Sequence, residues 1–277
     1  MQNGGTGIIT VTTDADGAPG GTTIPLSSSA PLSVVVPASV VLRPGVRTTS
    51  FRVRADATTP TTAIVTAMFN GPGTATVNVI QTAPTPDPAP NAPQLLINEI
   101  LADPGVVSGD ANCDSVVNSS DDEFVEIVNL TNGPLDLTGV TLSDAAAVRF
   151  TFPQFVLGPR EPVVVFARFQ PAAAPSSPHC VGVSATRIGD ATAFATMNGL
   201  LLNNTSDTVS LGKPPATMPF SSVTYGTEAG NDQSITRSPD GALVPLIQHT
   251  SAPSAATDRV FSPGSRLSGL SWAEATP

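Results

Sequence analysis

Apolar and polar positions alternate in short runs along most of the chain. In SFRVRA, Phe51 and Val53 fall on one side and Arg52 and Arg54 on the other. In TATVNVI, Ala75, Val77 and Val79 share a side. A period of two marks a strand, because successive side chains leave a pleated backbone on opposite faces. GIITVTT, TTIPLSS, LSVVVPASVVL, TTSFRVRA, TAIVTAMF and TATVNVI repeat such runs with turn residues between them. Strands at this spacing predict an antiparallel β-sandwich. Further on, DEFVEIVNL sets Phe124, Glu126, Val128 and Leu130 on one face and Glu123, Val125, Ile127 and Asn129 on the other. Glu126 is the odd member: it can pair with a base, sit at an edge, or reach back toward the acidic residues before it. VVVF at 163–166 is apolar throughout, as a strand buried on both faces would be. TNGP at 131–134 predicts a hairpin-like turn between strands.

Composition supports many short strands and opposes long helices. The 277 residues include 28 Pro and 23 Gly, and helices rarely survive such punctuation. QTAPTPDPAPNAP, residues 81–93, is rich in proline and has almost nothing to pack, so it predicts an extended linker. The chain is therefore expected to hold a first sandwich over 1–82, a linker over 83–93, a second sandwich over 94–270 and a tail over 271–277. Trp272 is expected to be a packing residue or part of that tail. No run of 18 apolar residues offers a transmembrane helix. The start, MQNGGTGIITVTTDADG, lacks the basic flank and apolar core of a signal peptide and reads as a start downstream of the true one.

GGTTIPLSSSAPLSVVVPASVVLRPGVRTTSFRV and the closing strand TATVNVI resemble the bacterial immunoglobulin-like modules of secreted and surface proteins. The second part carries a more specific series of words: INEI at 97–100, DEFVEIVN at 122–129, LDLTGVTLSD at 135–144, FVLGPREPVVVF at 155–166, LLNNTSDTVSL at 201–211 and VTYG at 223–226. GNDQSITRSPDG at 230–241 and FSPGSR at 261–266 extend them. In this order they resemble a bacterial lamin-tail domain, which implies a second immunoglobulin-like β-sandwich. The expected fold is all-β, with two such sandwiches joined by the Pro-rich linker. The resemblance also implies an accessory or display role, since such domains accompany secreted hydrolases or surface repeats.

Charge narrows the partner. The net charge is −10, and no Lys or Arg occurs between Arg54 and Arg149, an interval with twelve of the 22 acidic residues. Nucleic acid bound through phosphate contacts wants the opposite sign, and an anionic membrane would be repelled. A cation suits the cluster. From Asp110 the spacing is D-x-N-x-D-x-x-x-N-x-x-D, which places Asp110, Asn112, Asp114, Asn118 and Asp121 at side-chain ligand positions and the Val116 carbonyl between them. Calcium takes six to eight oxygens of this kind. The loop resembles that of dockerins and EF-hands, with two departures: Ser115 stands where glycine is expected and must accept positive φ, and no helix flanks the loop. Asp122 and Glu123 are alternative sources of the closing carboxylate. The competing reading is a solvated turn of Asx type. It leaves close carboxylates with no base in the neighbouring sequence.

The two cysteines, Cys113 and Cys180, lie in loop-like surroundings. A bridge between them would close a 67-residue loop, contributing about 4 kcal/mol in the chain-entropy model. Two free thiols are the alternative. No G-x-S-x-G, Walker or H-E-x-x-H motif occurs. His249 with Cys180, or Glu99 with Glu126, are the only pairs that invite a catalytic reading, and both have simpler structural ones. The expectation is a non-catalytic structural or adhesion module at the bacterial cell surface or outside it, with calcium as its ion and an unknown protein or cell-surface partner. The alternative is a targeting or substrate-binding accessory of a larger extracellular nuclease or phosphatase, which catalytic motifs in a longer reading frame would favour.

Overall fold

A computed structural model describes residues 6–55, 61–79, 94–106, 108–172, 179–180, 182–216 and 218–272. These fall into two compact units, one within Met1–Thr85 and one within Pro86–Trp272. The expected linker at 83–93 and the tail beyond Trp272 lie outside the described residues. Trp272 itself is packed in the second unit and only 6% exposed.

The first unit holds β1 (Thr6–Thr12), β2 (Thr22–Ser28), β3 (Val34–Val35), β4 (Ser39–Leu42), β5 (Thr48–Ala55), β6 (Thr61–Met68) and β7 (Pro72–Val79). They form two antiparallel sheets, β1-β5-β3 and β4-β2-β6-β7. The run 32–42 divides into β3 and β4 around Pro37, which has no N–H to give a ladder. Leu26, Val34, Phe51, Val53, Val65 and Val77 meet in its core. On β7 the alternation holds, with Val77 and Val79 buried and Thr76 and Asn78 exposed. On β5 both faces are covered, and Arg52 and Arg54 are buried along with Phe51, Val53 and Ala55.

The second unit holds β8 (Leu95–Leu101), β9 (Phe124–Asn129), β10 (Leu135–Asp136), β11 (Thr141–Ser143), β12 (Val148–Thr151), β13 (Val156–Leu157), β14 (Pro162–Phe166), β15 (Arg187–Ile188), β16 (Ala191–Ala195), β17 (Asp207–Gly212), β18 (Ser221–Tyr225), β19 (Ile235–Thr236) and β20 (Ile247–Gln248). Among the described residues they make a seven-stranded sheet, β15-β16-β14-β9-β8-β19-β20, a four-stranded sheet, β12-β11-β17-β18, and the ribbon β10-β13. The ladders are antiparallel except for β14 with β16, which is parallel. Ile97, Val125, Ile127, Val163 and Val165 of the large sheet pack with Leu142, Val209, Leu211 and Val223 of the smaller one. On the other face Leu101, Phe124, Val164 and Phe166 meet Phe169, Ile188 and Phe261. The middle strands are thus buried on both faces, as VVVF predicts. Each such side chain contributes about 1.5–3 kcal/mol by leaving water.

A bulge in β8 brings two acids into register. The pairing against β9 runs Ile97 to Ile127, then Glu99 to Glu126, with Asn98 as the extra residue. Ile97 and Ile100 therefore face the same core although three residues apart. Glu99 lies directly across from Glu126. The TNGP turn is not a hairpin: β9 does not pair with β10, which belongs to the separate ribbon with β13. Asn129 explains the departure, because its Nδ2 donates to the carbonyls of Gly133, Leu157 and Gly158 and its Oδ1 accepts from Thr131. These bonds hold a crossover from one layer to the next.

Candidate metal site

The acidic loop runs between β8 and β9 and is folded mainly on its own amides. Asp110 Oδ1 accepts from the N–H of Ser115 (3.3 Å), Asn112 Oδ1 from Asp114 (3.0 Å) and Asp114 Oδ1 from Val116 (2.8 Å). Asn118 Oδ1 accepts from Ser120 and Asp121. Ser115 has φ 70°, the left-handed backbone that its position demands, and Cys113 has φ 63°. The side chain of Val116 is exposed.

The closing position divides between two neighbours. Asp121 turns outward and pairs with Arg168 at 3.3 Å. The loop therefore does have a base beside it, brought from 47 residues away in sequence. Asp122 turns inward, is 0% exposed, and accepts from the amides of Asn112 (3.1 Å) and Asn118 (2.7 Å). Burial pushes its pKa up to about 7, and the charges of Asp110 and Asp114 add to the push while the two amides oppose it. Glu123, next along, serves a different element, accepting from the N–H of Leu202. Burial, with Asp207 beside it, pushes Glu123 up to about 8.

Cys113 and Cys180 form a disulfide, which ties the loop to a remote segment. His179 adds a second tie: its Nε2 donates to the Asp110 carbonyl at 2.7 Å, and its ring lies edge-on to Phe261. Burial lowers its pKa to about 4, so it is neutral at pH 7. No sequence spacing signals this contact, since 69 residues separate its partners. Among the described residues, Cys113, His179 and Cys180 are the His, Cys, Asp or Glu set whose ligand atoms all lie within 4.8 Å of one another. The bonded sulfurs offer no thiolate to a metal. No three of the loop carboxylates come that close together: Asp110, Asp114 and Asp122 each accept from an amide, and Asp121 faces Arg168.

Of the two pairs open to a catalytic reading, neither is arranged for it. Cys180 is in the disulfide. Glu99 and Glu126 do come together, but both are 0% exposed and hydrogen-bonded within the protein. Glu126 makes none of its contacts with the acidic loop. Its carboxylate accepts from Asn98 and from the N–H of Gly264. Among the described residues no helix is long and apolar enough to cross a membrane.

A family model described as Lamin Tail Domain matches residues 88–227. Curated protein sequences give no match. Among solved structures, a DUF4876 family protein of Bacteroides thetaiotaomicron is 11% identical, with 76% of this chain and 67% of that chain covered and a TM-score of 0.28. The CupB2 chaperone of Pseudomonas aeruginosa is 9% identical, with 79% and 90% covered and a TM-score of 0.22. The class 5 fimbriae chaperone CfaA is also 9% identical, with 82% and 93% covered and a TM-score of 0.22.

Proposed function

The chain belongs to the lamin tail domain family, and from that premise we propose that it is a non-catalytic structural or adhesion module, displayed outside the cell, whose acidic loop holds a calcium ion. The observation that supports this best is the disulfide from Cys113, in the middle of the loop, to Cys180. Such bonds persist in oxidising compartments, and this one holds the loop's backbone before any ion arrives. Pre-ordering reduces the entropy lost on binding.

The ligands would be Asp110, Asn112, Asp114 and Asn118 through their side chains and Val116 through its carbonyl. Asp121 or Asp122 would supply the closing carboxylate. The donor set is all oxygen, as a hard cation requires. A cation would also relieve a cost that the loop bears alone, since Asp122 is buried and feels Asp110 and Asp114 as like charges. Binding asks some of these oxygens to turn from amides to the ion.

Thermal melting of the whole chain in calcium and in chelator tests the reading. A ligand of the folded state raises the melting temperature. Asp110→Ala and Asp114→Ala should each remove that rise. An unchanged melting temperature, together with no calcium by elemental analysis, would sink the proposal.

A further inference from the structure

We propose that the buried pair Glu99 and Glu126 carries a single proton and that this proton latches residues 234–267, strands β19 and β20 included, against β8 and β9. The two carboxyl groups face each other across β8 and β9, fully buried. Almost every donor that reaches them comes from the C-terminal segment. Glu99 accepts from the Ser234 hydroxyl (2.6 Å), the Ser262 N–H (2.8 Å) and the Ser262 hydroxyl (2.7 Å). Glu126 accepts from Gly264 N–H (2.8 Å) and, within the sheet, from Asn98 (2.9 Å). A third carboxylate, Asp240, joins them through Asn98 and accepts from the Leu267 N–H. The segment lies beyond the residues that the family model matches.

The proton belongs on Glu126. Burial raises Glu99 too, but three donors, two of them hydroxyls, and the charge of Arg259 oppose that rise. Burial, and then the charges of Glu99 and Asp240, push Glu126 well up, against only two amide donors. Burial and the charge of Glu99 raise Asp240 as well, while its bonds to Leu267 and Asn98 and the charge of Arg266 oppose the rise. His249, packed nearby and neutral, feels Arg259, Asp240 and Asp258, and Asp258 is itself paired with Arg259. Arg237 gives its guanidinium to the carbonyls of Ile97 and Val244, and the charges acting most strongly on Glu126 are the like ones of Glu99 and Asp240. Losing the proton to solvent places two buried anions side by side, and the cheapest relief is for the segment to lift and admit water.

The expected behaviour is an opening confined to the segment that grows with pH. Once Glu126 must ionise to open, each further pH unit favours the open form by about tenfold until the group titrates. Hydrogen exchange of the full chain, corrected for intrinsic rates, reads this at the amides of Ser262, Gly264 and Leu267. Trp272 gives a second reading as the sole tryptophan, buried and joined to Asp190 through its backbone N–H. Its emission should move to longer wavelength as the segment opens. Glu126→Gln, neutral at every pH, should remove the slope, and Asp122→Asn should keep it. If Glu126→Gln does not fold, Glu99→Gln serves, since it too prevents two adjacent charges.

Three results would overturn the latch. One is exchange in the wild-type segment that tracks intrinsic rates alone from pH 6 to about pH 9. Another is the same slope in both glutamate variants. The third is an equal rise at the amides of 163–166, which would mark global unfolding. None of these depends on whether the acidic loop binds calcium.

Discussion

Two groups of acids lie a few residues apart in sequence and are held in opposite ways. In the loop at 110–122, most carboxylate and amide oxygens accept from backbone two to five residues on. At Glu99 the partners are 135 and 163 residues away, and at Glu126 the backbone donor is 138 away. The local group carries its own satisfaction and can fold as a turn. The remote group is stable only when another segment has arrived. An acid held by neighbouring amides can form with its own turn, whereas an acid held remotely has become part of the core.

The strongest way to break the comparison is at Gly264. Its φ is +74°, and a Cβ there would lie 1.9 Å from the Ile188 carbonyl oxygen. The atoms that the Cβ would meet are backbone, so they cannot swing aside as a flexible side chain would. Gly264→Ala should cost about 4 kcal/mol or more, from overpacking together with the positive φ. Chemical denaturation measures it. A loss under about 1 kcal/mol would mean that the segment's seat at Glu126 matters little.

The disulfide is the next largest effect. Cys113→Ser with Cys180→Ser should lower stability by about 2–4 kcal/mol. It should weaken calcium binding as well, because the loop then loses freedom at the moment it binds. Melting with and without calcium separates the two consequences. Equal calcium shifts in the bridged and unbridged proteins would show that the bridge does not prepare the loop.

The local and remote groups also differ in how far the sequence reveals them. Alternation and turn residues locate the strands of the first unit within a residue or two, because the pleat imposes its period on every half-buried strand. GDANCDS likewise displays its Asx spacing openly, and Ser115 takes the positive φ that the spacing requires. Asp121 and Asp122 are harder to separate. Which one turns inward depends on Arg168 and on the burial of β9, neither of which is local. The purpose of Glu126 is hidden for the same reason: a carboxylate in a strand says nothing of a glycine 138 positions on. The bulge at Asn98, which aligns the two glutamates, has no strong marker, since an asparagine in INEI fits a regular strand as well. The parallel step from β14 to β16 is not legible either, because alternation carries no information on strand direction.

A smaller effect arises from the loop's proton. The pKa of Asp122 is raised to about 7 in the folded protein, against 3.8 for the free group. A raised acid holds its proton only when folded, so its contribution is full below pH 4 and is lost as pH rises to about 7. His179 and His249 act with the opposite sign. Both fall to about 4 from 6.5, so stability is lost as pH drops through that interval. Calcium should replace the proton on the loop. Its melting shift is therefore expected to be larger at pH 8 than at pH 5, and Asp122→Asn should flatten the difference. A calcium shift independent of pH would separate Asp122 from the ion.

The finest test concerns Arg168. Its pair with Asp121 is solvent-exposed, with the arginine side chain 54% accessible, and such pairs contribute under about 1 kcal/mol. Arg168→Ala should scarcely move the melting temperature in chelator. Its effect in calcium is more informative, because Asp121 stands at the twelfth position of the loop spacing. If Asp121 supplies the closing carboxylate, removing Arg168 frees it and tightens calcium binding. If Asp122 does, Arg168→Ala changes only a distant charge, and salt should screen the small difference that remains. Calorimetric titration at low and high salt distinguishes the two, and so identifies which acid faces the ion and which the solvent.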